Sequence, residues 1–215
     1  MMYPSLINPF TFPPWLLRIL ELRIDVQLPQ PDLERELDTL NRRLRQPGDI
    51  LYDLPLLDID LPGLVFRYRE ADGEHYIYVE DLQRQCLAGY TVFNRLIELN
   101  RRQDRYLRAP HSKYDPAYQR RGIASAIYRW WLDAGNCLLS GARQSPAAHA
   151  LWQSLSQRYA LIYVDLRDKT LSYLGPEVSN QTREELHTRM ILAGKNWDTG
   201  RLVESTGMIM PFDLP

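Results

Sequence analysis

Tyr114-Asp115-Pro116-Ala117-Tyr118-Gln119-Arg120-Arg121-Gly122-Ile123-Ala124 is the stretch around which this chain is organised. An extended segment meets a proline, passes through a tight basic loop with one glycine, and turns at once into a helix. Backbone N–H groups at a helix mouth have no intrahelical acceptor, so they point outward and hold an anion with the helix dipole behind them. Gly122 has no Cβ to keep an anion off the backbone, and Ala124 keeps the first turn small. Gln119, Arg120 and Arg121 bring side-chain donors to the approach. The plain alternative is a basic loop that happens to precede a helix.

The length of 215 residues suits one well-buried core, in which roughly 70% of the unfolded surface disappears. One domain with terminal additions is expected: an arm and helices over 1–50, a core over 51–175, and an extension over 176–215. The 26 Lys and Arg nearly balance the 27 Asp and Glu, giving a net charge of -1, so bulk attraction to nucleic acid is not indicated. Cys86 and Cys137 have no metal-ligand spacing and sit in apolar, strand-like runs, as reduced, buried thiols of a cytoplasmic protein do. No apolar run approaches the ~20 residues of a membrane span, and the N-terminus lacks the charged lead of a cleaved signal.

Taken in order, residues 1–14 carry four prolines among aromatics and read as an extended arm. A short amphipathic helix is expected over 15–26. Asp32 can cap a second one reaching Gln46, with Leu33, Leu37, Leu40 and Leu44 on one stripe. That stripe reads as core, with partner-helix binding as the alternative. Residues 50–62 read as a loop or short edge strand. Alternation over 64–70 and 75–80 around Asp72-Gly73 signals a hairpin. Strands are expected over 86–96, with Gly89 at a bulge or close approach, and over 105–114. Beyond the loop, Ala124, Ile127, Tyr128, Trp131 and Leu132 lie on one helical face, ended by Gly135. Cys137 to Leu139 make a short buried strand. Ser145-Pro146 opens a further helix as N-cap and first helical position, and strands follow over 160–166 and 170–174. Residues 182–194 look helical.

The opening stretch resembles motif A of the GNAT superfamily of acyl-CoA-dependent N-acetyltransferases, written Gln/Arg-x-x-Gly-x-Gly/Ala. Gln119, Gly122 and Ala124 fill its three defined positions, and Tyr114 to Tyr118 is similar to the Val-x-Pro-x-Tyr run that leads into it. The expected order of elements is similar to that fold as well. The resemblance therefore implies an α+β protein with a central, mostly antiparallel twisted sheet, middle strands splayed apart, and flanking helices. It implies acetyl-CoA or another acyl-CoA as cofactor. The pyrophosphate would lie on the backbone of Gln119, Arg120, Arg121, Gly122, Ile123 and Ala124, with Ser125 adding a hydroxyl. The backbone of Ser112 to Tyr114 would hold the pantetheine arm and polarise the thioester.

The family's second landmark is an Asn-x-x-Ala-x-x-Leu-Tyr pattern, whose Tyr protonates the departing thiolate. Its counterpart is Ser145-Pro146-Ala147-Ala148-His149-Ala150-Leu151-Trp152. Ala148 and Leu151 match, Ser145 replaces the Asn and could still bond the cofactor, and Trp152 replaces the Tyr. An indole N–H donates a hydrogen bond and is no usable acid. Tyr159, further along the same face, and Tyr118 are the substitutes, with water as another. Glu80 leads the candidate bases, alongside Glu70, Asp81 and His111; the competing reading of each is a solvated strand-edge residue. His149 reads as solvent-facing or packed.

Two functions of different class follow. One is transfer of an acetyl group from acetyl-CoA to an amine acceptor, small molecule or protein, by direct attack in a ternary complex. The other is a non-catalytic acyl-CoA-binding or interaction protein. No membrane partner is expected, and a homodimer is left open.

Overall fold

A computed structural model describes residues 30–142 and 144–211; the expected N-terminal arm and the helix over 15–26 lie outside these. In chain order the elements are α1 (Gln30–Arg45), β1 (Leu64–Ala71), β2 (Glu74–Asp81), β3 (Cys86–Asn94), β4 (Leu107–Tyr114) and α2 (Ile123–Asp133). Then come β5 (Cys137–Leu139), α3 (Pro146–Leu155), β6 (Leu161–Arg167), β7 (Thr170–Gly175), α4 (Asn180–Glu184), β8 (Thr188–Leu192) and α5 (Thr199–Thr206). The strands form one eight-stranded sheet in the order β1-β2-β3-β4-β5-β8-β6-β7. Every pairing is antiparallel except β4 with β5. The chain is thus a mixed, mostly antiparallel sheet flanked by helices, as the order of sequence patterns predicts.

Local chemistry explains the register. Asp72 and Gly73 both have positive φ, 53° and 78°, which is the turn that matches strand twist, and Ala71 pairs with Glu74 across it. Gly89 sits where β3 presses on β4: a Cβ there would lie 2.3 Å from the Lys113 carbonyl oxygen and 2.3 Å from the Tyr114 ring. The close approach expected at this glycine is therefore present, and no other residue fits. The strand expected from 105 starts at Leu107, because Gln103 to Arg105 form a single 3-10 turn.

Each face of the sheet is covered. The leucine stripe of α1 is core: Leu37 and Leu44 pack on Tyr78, Tyr90 and Val92. On the opposite face α2 and α3 bury Ile123, Ile127, Trp131, Trp152 and Leu155 against Phe66, Ile77, Val79 and Phe93. Phe93 and Trp131 stack with centroids 4.2 Å apart, a geometry worth about 0.5–1.5 kcal/mol beyond burial alone. Leu202 of α5 joins a third cluster with Leu107, Leu139, Val164 and Ile191.

The segment beyond residue 176 departs from expectation. Instead of a helix over 182–194 there is the short α4 and then β8, inserted between β5 and β6. All five β8 residues are buried, so its apolar run shows no two-residue alternation to announce a strand. Its one charge, Arg189, is 5% exposed; the guanidinium donates to the carbonyls of Leu186 and Thr188 and pairs with Glu98 at 3.5 Å.

Candidate functional site

The site grows from the place where two neighbouring strands part. β4 and β5 pair only at Leu107 with Cys137 and Arg108 with Leu138. From Ala109 to Tyr114, β4 keeps β3 on one side and has no strand partner on the other among the described residues. At the top of this open edge the chain leaves β4. The Asp115 carboxylate accepts the Ala117 N–H at 2.8 Å, Pro116 opens a 3-10 turn, and the chain reaches Gln119.

Tyr118 anchors the loop. Its buried phenol donates to Asp81 at 2.7 Å beside the Cys86 sulfur at 3.3 Å, and the guanidinium groups of Arg121 and Arg84 lie over its ring at 5.1 and 5.7 Å. Burial, then the hydrogen bonds to Cys86 and Asp81, push the phenol well above its ordinary value. The Asp81 carboxyl is held low, first by the Arg84 backbone N–H and then by Tyr118. Tyr118 is therefore a tether and not a proton donor, and Asp81 is its acceptor and not a free base. Cys86 is only half-buried, unlike Cys137.

The loop then opens outward. Arg120 and Gly122 take left-handed backbone, with φ of 59° and 79°, and residues 119–122 are all exposed. The Gln119 side-chain amide donates to the Tyr114 carbonyl at 3.0 Å, so this residue folds the loop back on β4. The first helical bond of α2 runs from the Ala126 N–H to the Gly122 carbonyl at 2.9 Å, so helix geometry gives the N–H groups of Ile123, Ala124 and Ser125 no partner. No side chain among the described residues caps them. By contrast, α3, α4 and α5 are capped by Ser145, Ser179 and Asp198, each accepting a backbone N–H. A Cβ built on Gly122 would meet no protein atom within 4 Å, so the ground before the mouth is open. Such a mouth is the geometry that receives a phosphate group.

The side chains of Ser112 and Tyr114 point inward. The Tyr114 hydroxyl meets the Thr91 hydroxyl at 2.6 Å, which meets Ser112 at 2.8 Å, and Ser112 meets Tyr128 at 3.5 Å. Burial pushes Tyr128 up to about 12 and Tyr114 further. Only the backbone of these β4 residues faces the open edge. The hydroxyl chain through Thr91 and Tyr128 has no linear signature, because its members come from three elements.

The remaining candidates fall elsewhere. Ser145 is the exposed N-cap of α3, its hydroxyl accepting the Ala148 N–H at 3.2 Å. Trp152 is 2% exposed within the core. The Tyr159 hydroxyl donates to Asp133 at 2.8 Å, at the C-terminal end of α2; ten residues at about 1.5 Å each put that about 15 Å from the mouth. Burial, then Asp133, push Tyr159 up to about 12. Glu80 is 3% exposed and bound to Arg67 and, at 3.9 Å, Arg45, so it is a neutralised structural carboxylate and not a base. Glu70 lies 3.9 Å from His75 on the surface. His149 borders a small cavity of about 210 Å³ with Gln144 and Arg183.

His111 differs from these. It lies on the open stretch of β4, two residues from Lys113, which pairs with Glu36 of α1 at 3.1 Å. Burial, reinforced by Lys113 and opposed by Glu36, lowers the imidazole to about 4, and its buried Nε2 has no hydrogen-bond partner among the described residues.

Among the described residues no group of His, Cys, Asp and Glu could hold a metal, and no helix is long and apolar enough to cross a membrane. No family model matches the chain, and no curated protein matches it. Among solved structures it is similar to a chimera of a Vibrio cholerae spermidine N-acetyltransferase with hSSAT. The identity is 18% and the TM-score 0.35, over 77% of this chain and 92% of that one. A likeness that weak carries no functional weight, and the geometry of the helix mouth has to stand by itself.

Proposed function

We propose that this chain is an acyl-CoA-dependent N-acetyltransferase acting on an amine acceptor. The observation that carries the reading is the uncapped mouth of α2 at the top of the open β4 edge, in a chain that caps its other described helix starts from α3 onward. Its resemblance to the GNAT loop through Gln119, Gly122 and Ala124 supports the same assignment. The fit is with a phosphate-bearing ligand: three backbone donors, an open approach at Gly122, and the exposed cations Arg120 and Arg121. Each charge-assisted contact of this kind is worth roughly 1.5–3 kcal/mol.

Acyl-CoA supplies the activated acyl group. The residues of this chain then have three tasks. The α2 mouth holds the phosphates. The unpaired β4 edge near Ser112 to Tyr114 offers backbone groups to an extended amide chain, and holding both reactants there supplies most of the acceleration. His111, neutral at physiological pH, with a buried Nε2 that has no partner among the described residues, is the candidate to accept the proton that the attacking amine loses. Its low pKa makes it a weak base, so its contribution is small beside that of positioning. With Tyr118 and Tyr159 tied to carboxylates and Trp152 buried, the departing thiolate takes its proton from water.

The same lack of a phenolic acid favours a second reading, a non-catalytic acyl-CoA-binding protein. Calorimetric titration with acetyl-CoA, followed by a thiol-release assay over a panel of amines and protein extracts, separates the two. The transferase gives binding and turnover with at least one acceptor. Binding without turnover on any of them identifies the second reading, and no binding refutes both.

A further inference from the structure

A second charged feature lies at the other end of β4 and belongs to no part of the site above. The loop before β4 and one face of α5 enclose a groove of about 1140 Å³ lined by Arg101, Arg102, Arg105, Tyr106, Arg201 and the acidic Asp198 and Glu204, among others. The eight residues of β4, at about 3.3 Å each, set it roughly 23 Å from the α2 mouth. In a chain of net charge -1, four guanidinium groups on one groove are a local concentration of positive charge.

The groove is preformed. Asn100 accepts the backbone N–H groups of Arg102 and Gln103, both at 3.0 Å, and Gln103 accepts that of Asn100 at 3.2 Å, which locks the loop. Arg102 donates to the Ser205 carbonyl at 2.9 Å and to that of Glu204, pinning the loop to the end of α5. Arg201 lies over the Trp197 ring at 4.2 Å and bonds the Asn196 carbonyl at 3.0 Å, leaving other N–H groups of its fork available. Arg101 and Arg105, one helical turn apart in sequence and both exposed, have no acidic partner among the described residues. Of the two acids, Asp198 is engaged as the cap of α5, accepting the Arg201 N–H at 2.7 Å. Both carboxylates stay negative and oppose an anion, against four guanidinium groups.

We propose that this groove binds an oligophosphate anion, held by Arg101 and Arg105 from the loop and Arg201 from α5. The cations are all guanidinium and none is ammonium, which suits bidentate capture of phosphate oxygens. Their placement on two walls suits a ligand with several charged groups better than a single small anion. The proposal does not depend on the transferase reading.

The test is calorimetric titration of the full chain with inorganic tripolyphosphate at low ionic strength. A groove site is expected, weakened about tenfold or more by Arg101→Glu with Arg105→Glu, strengthened by Glu204→Gln, and left in place by Gly122→Glu, which removes any second site at the α2 mouth. Both arginines are exposed, so the double variant is expected to keep its thermal midpoint, which a parallel melt checks. Binding that survives the arginine changes but vanishes with Gly122→Glu would assign it to the α2 mouth and overturn the proposal. Equal affinity for citrate would overturn the commitment to phosphate, and no binding at all would overturn the site.

Discussion

The two ends of α2 are built in opposite ways. At the C-terminal end the last-turn carbonyls of Trp130, Trp131 and Leu132 all find donors. The N–H groups of Ala134, Gly135 and Asn136 return to the last turn, the Lys195 N–H bonds the Leu132 carbonyl at 2.7 Å, and the Tyr159 hydroxyl donates to the Asp133 carboxylate. At the N-terminal end three backbone donors face outward with a glycine before them and no side chain among the described residues to answer them. One helix thus shows a terminus whose groups are bonded beside a terminus whose backbone donors are left open. The sequence motif and the resemblance point to the second end, and the Tyr159 assignment fails because that phenol belongs to the first.

The sharpest way to break this contrast is Gly122→Glu, which places a carboxylate where the mouth would receive phosphate. Affinity for acetyl-CoA should fall about a hundredfold or more, read by calorimetry. The φ of 79° makes a side chain there strained by roughly 1 kcal/mol, but no atom lies in its way, so the melt should shift by only a few degrees. Undiminished affinity would show that the phosphate site lies elsewhere.

His111→Gln probes the open strand that leads up to the mouth. In the unfolded chain this imidazole protonates near 6.5, whereas in the fold it stays neutral down to about 4. Between those values the unfolded chain binds more protons, so the stability due to this group is complete above pH 6.5 and falls as pH drops toward 4. Lys113, two residues along the same face of β4, lowers its pKa further, and Glu36 of α1 opposes that shift. Chemical denaturation from pH 7.5 to 4 should therefore give a shallower stability slope for the glutamine variant, by about 1–3 kcal/mol across the range. Identical slopes would mean that His111 titrates normally.

Tyr159→Phe tests the closed end and should do least. Losing one partly buried hydrogen bond costs about 1 kcal/mol, a shift of roughly 2–4 °C, while acetyl-CoA affinity and any turnover stay unchanged. A drop in turnover with unchanged binding would restore Tyr159 as a catalytic residue.

Much of the fold was legible because its signals are local. Asp72-Gly73 supplies the two positive φ values its hairpin needs, Ser145-Pro146 does open α3, and the α1 leucines repeat at helical spacing. The loop from Tyr114 to Ala124 was legible for the same reason. What the sequence hid depends on distant partners. Glu80 looks like an available carboxylate until Arg67 and Arg45 are brought to it from a neighbouring strand and from α1. Gln119 looks like a ligand donor until β4 presents the Tyr114 carbonyl. Thr188 to Leu192 carries an arginine in a run that alternates for no face, and only Glu98 and two carbonyls make Arg189 tolerable inside a sheet.

The position of β8 also sets a timetable. A ribosome releases β5 and β6 before it makes the strand that bonds both of them. Until then the half-sheet made of β6 and β7 can reach β5 through no ladder of its own, and two strand edges stay open to foreign chains. The long-range closure of the sheet is left to a five-residue segment made after both of the strands it joins, so the two halves of the sheet are committed to each other only once that segment emerges.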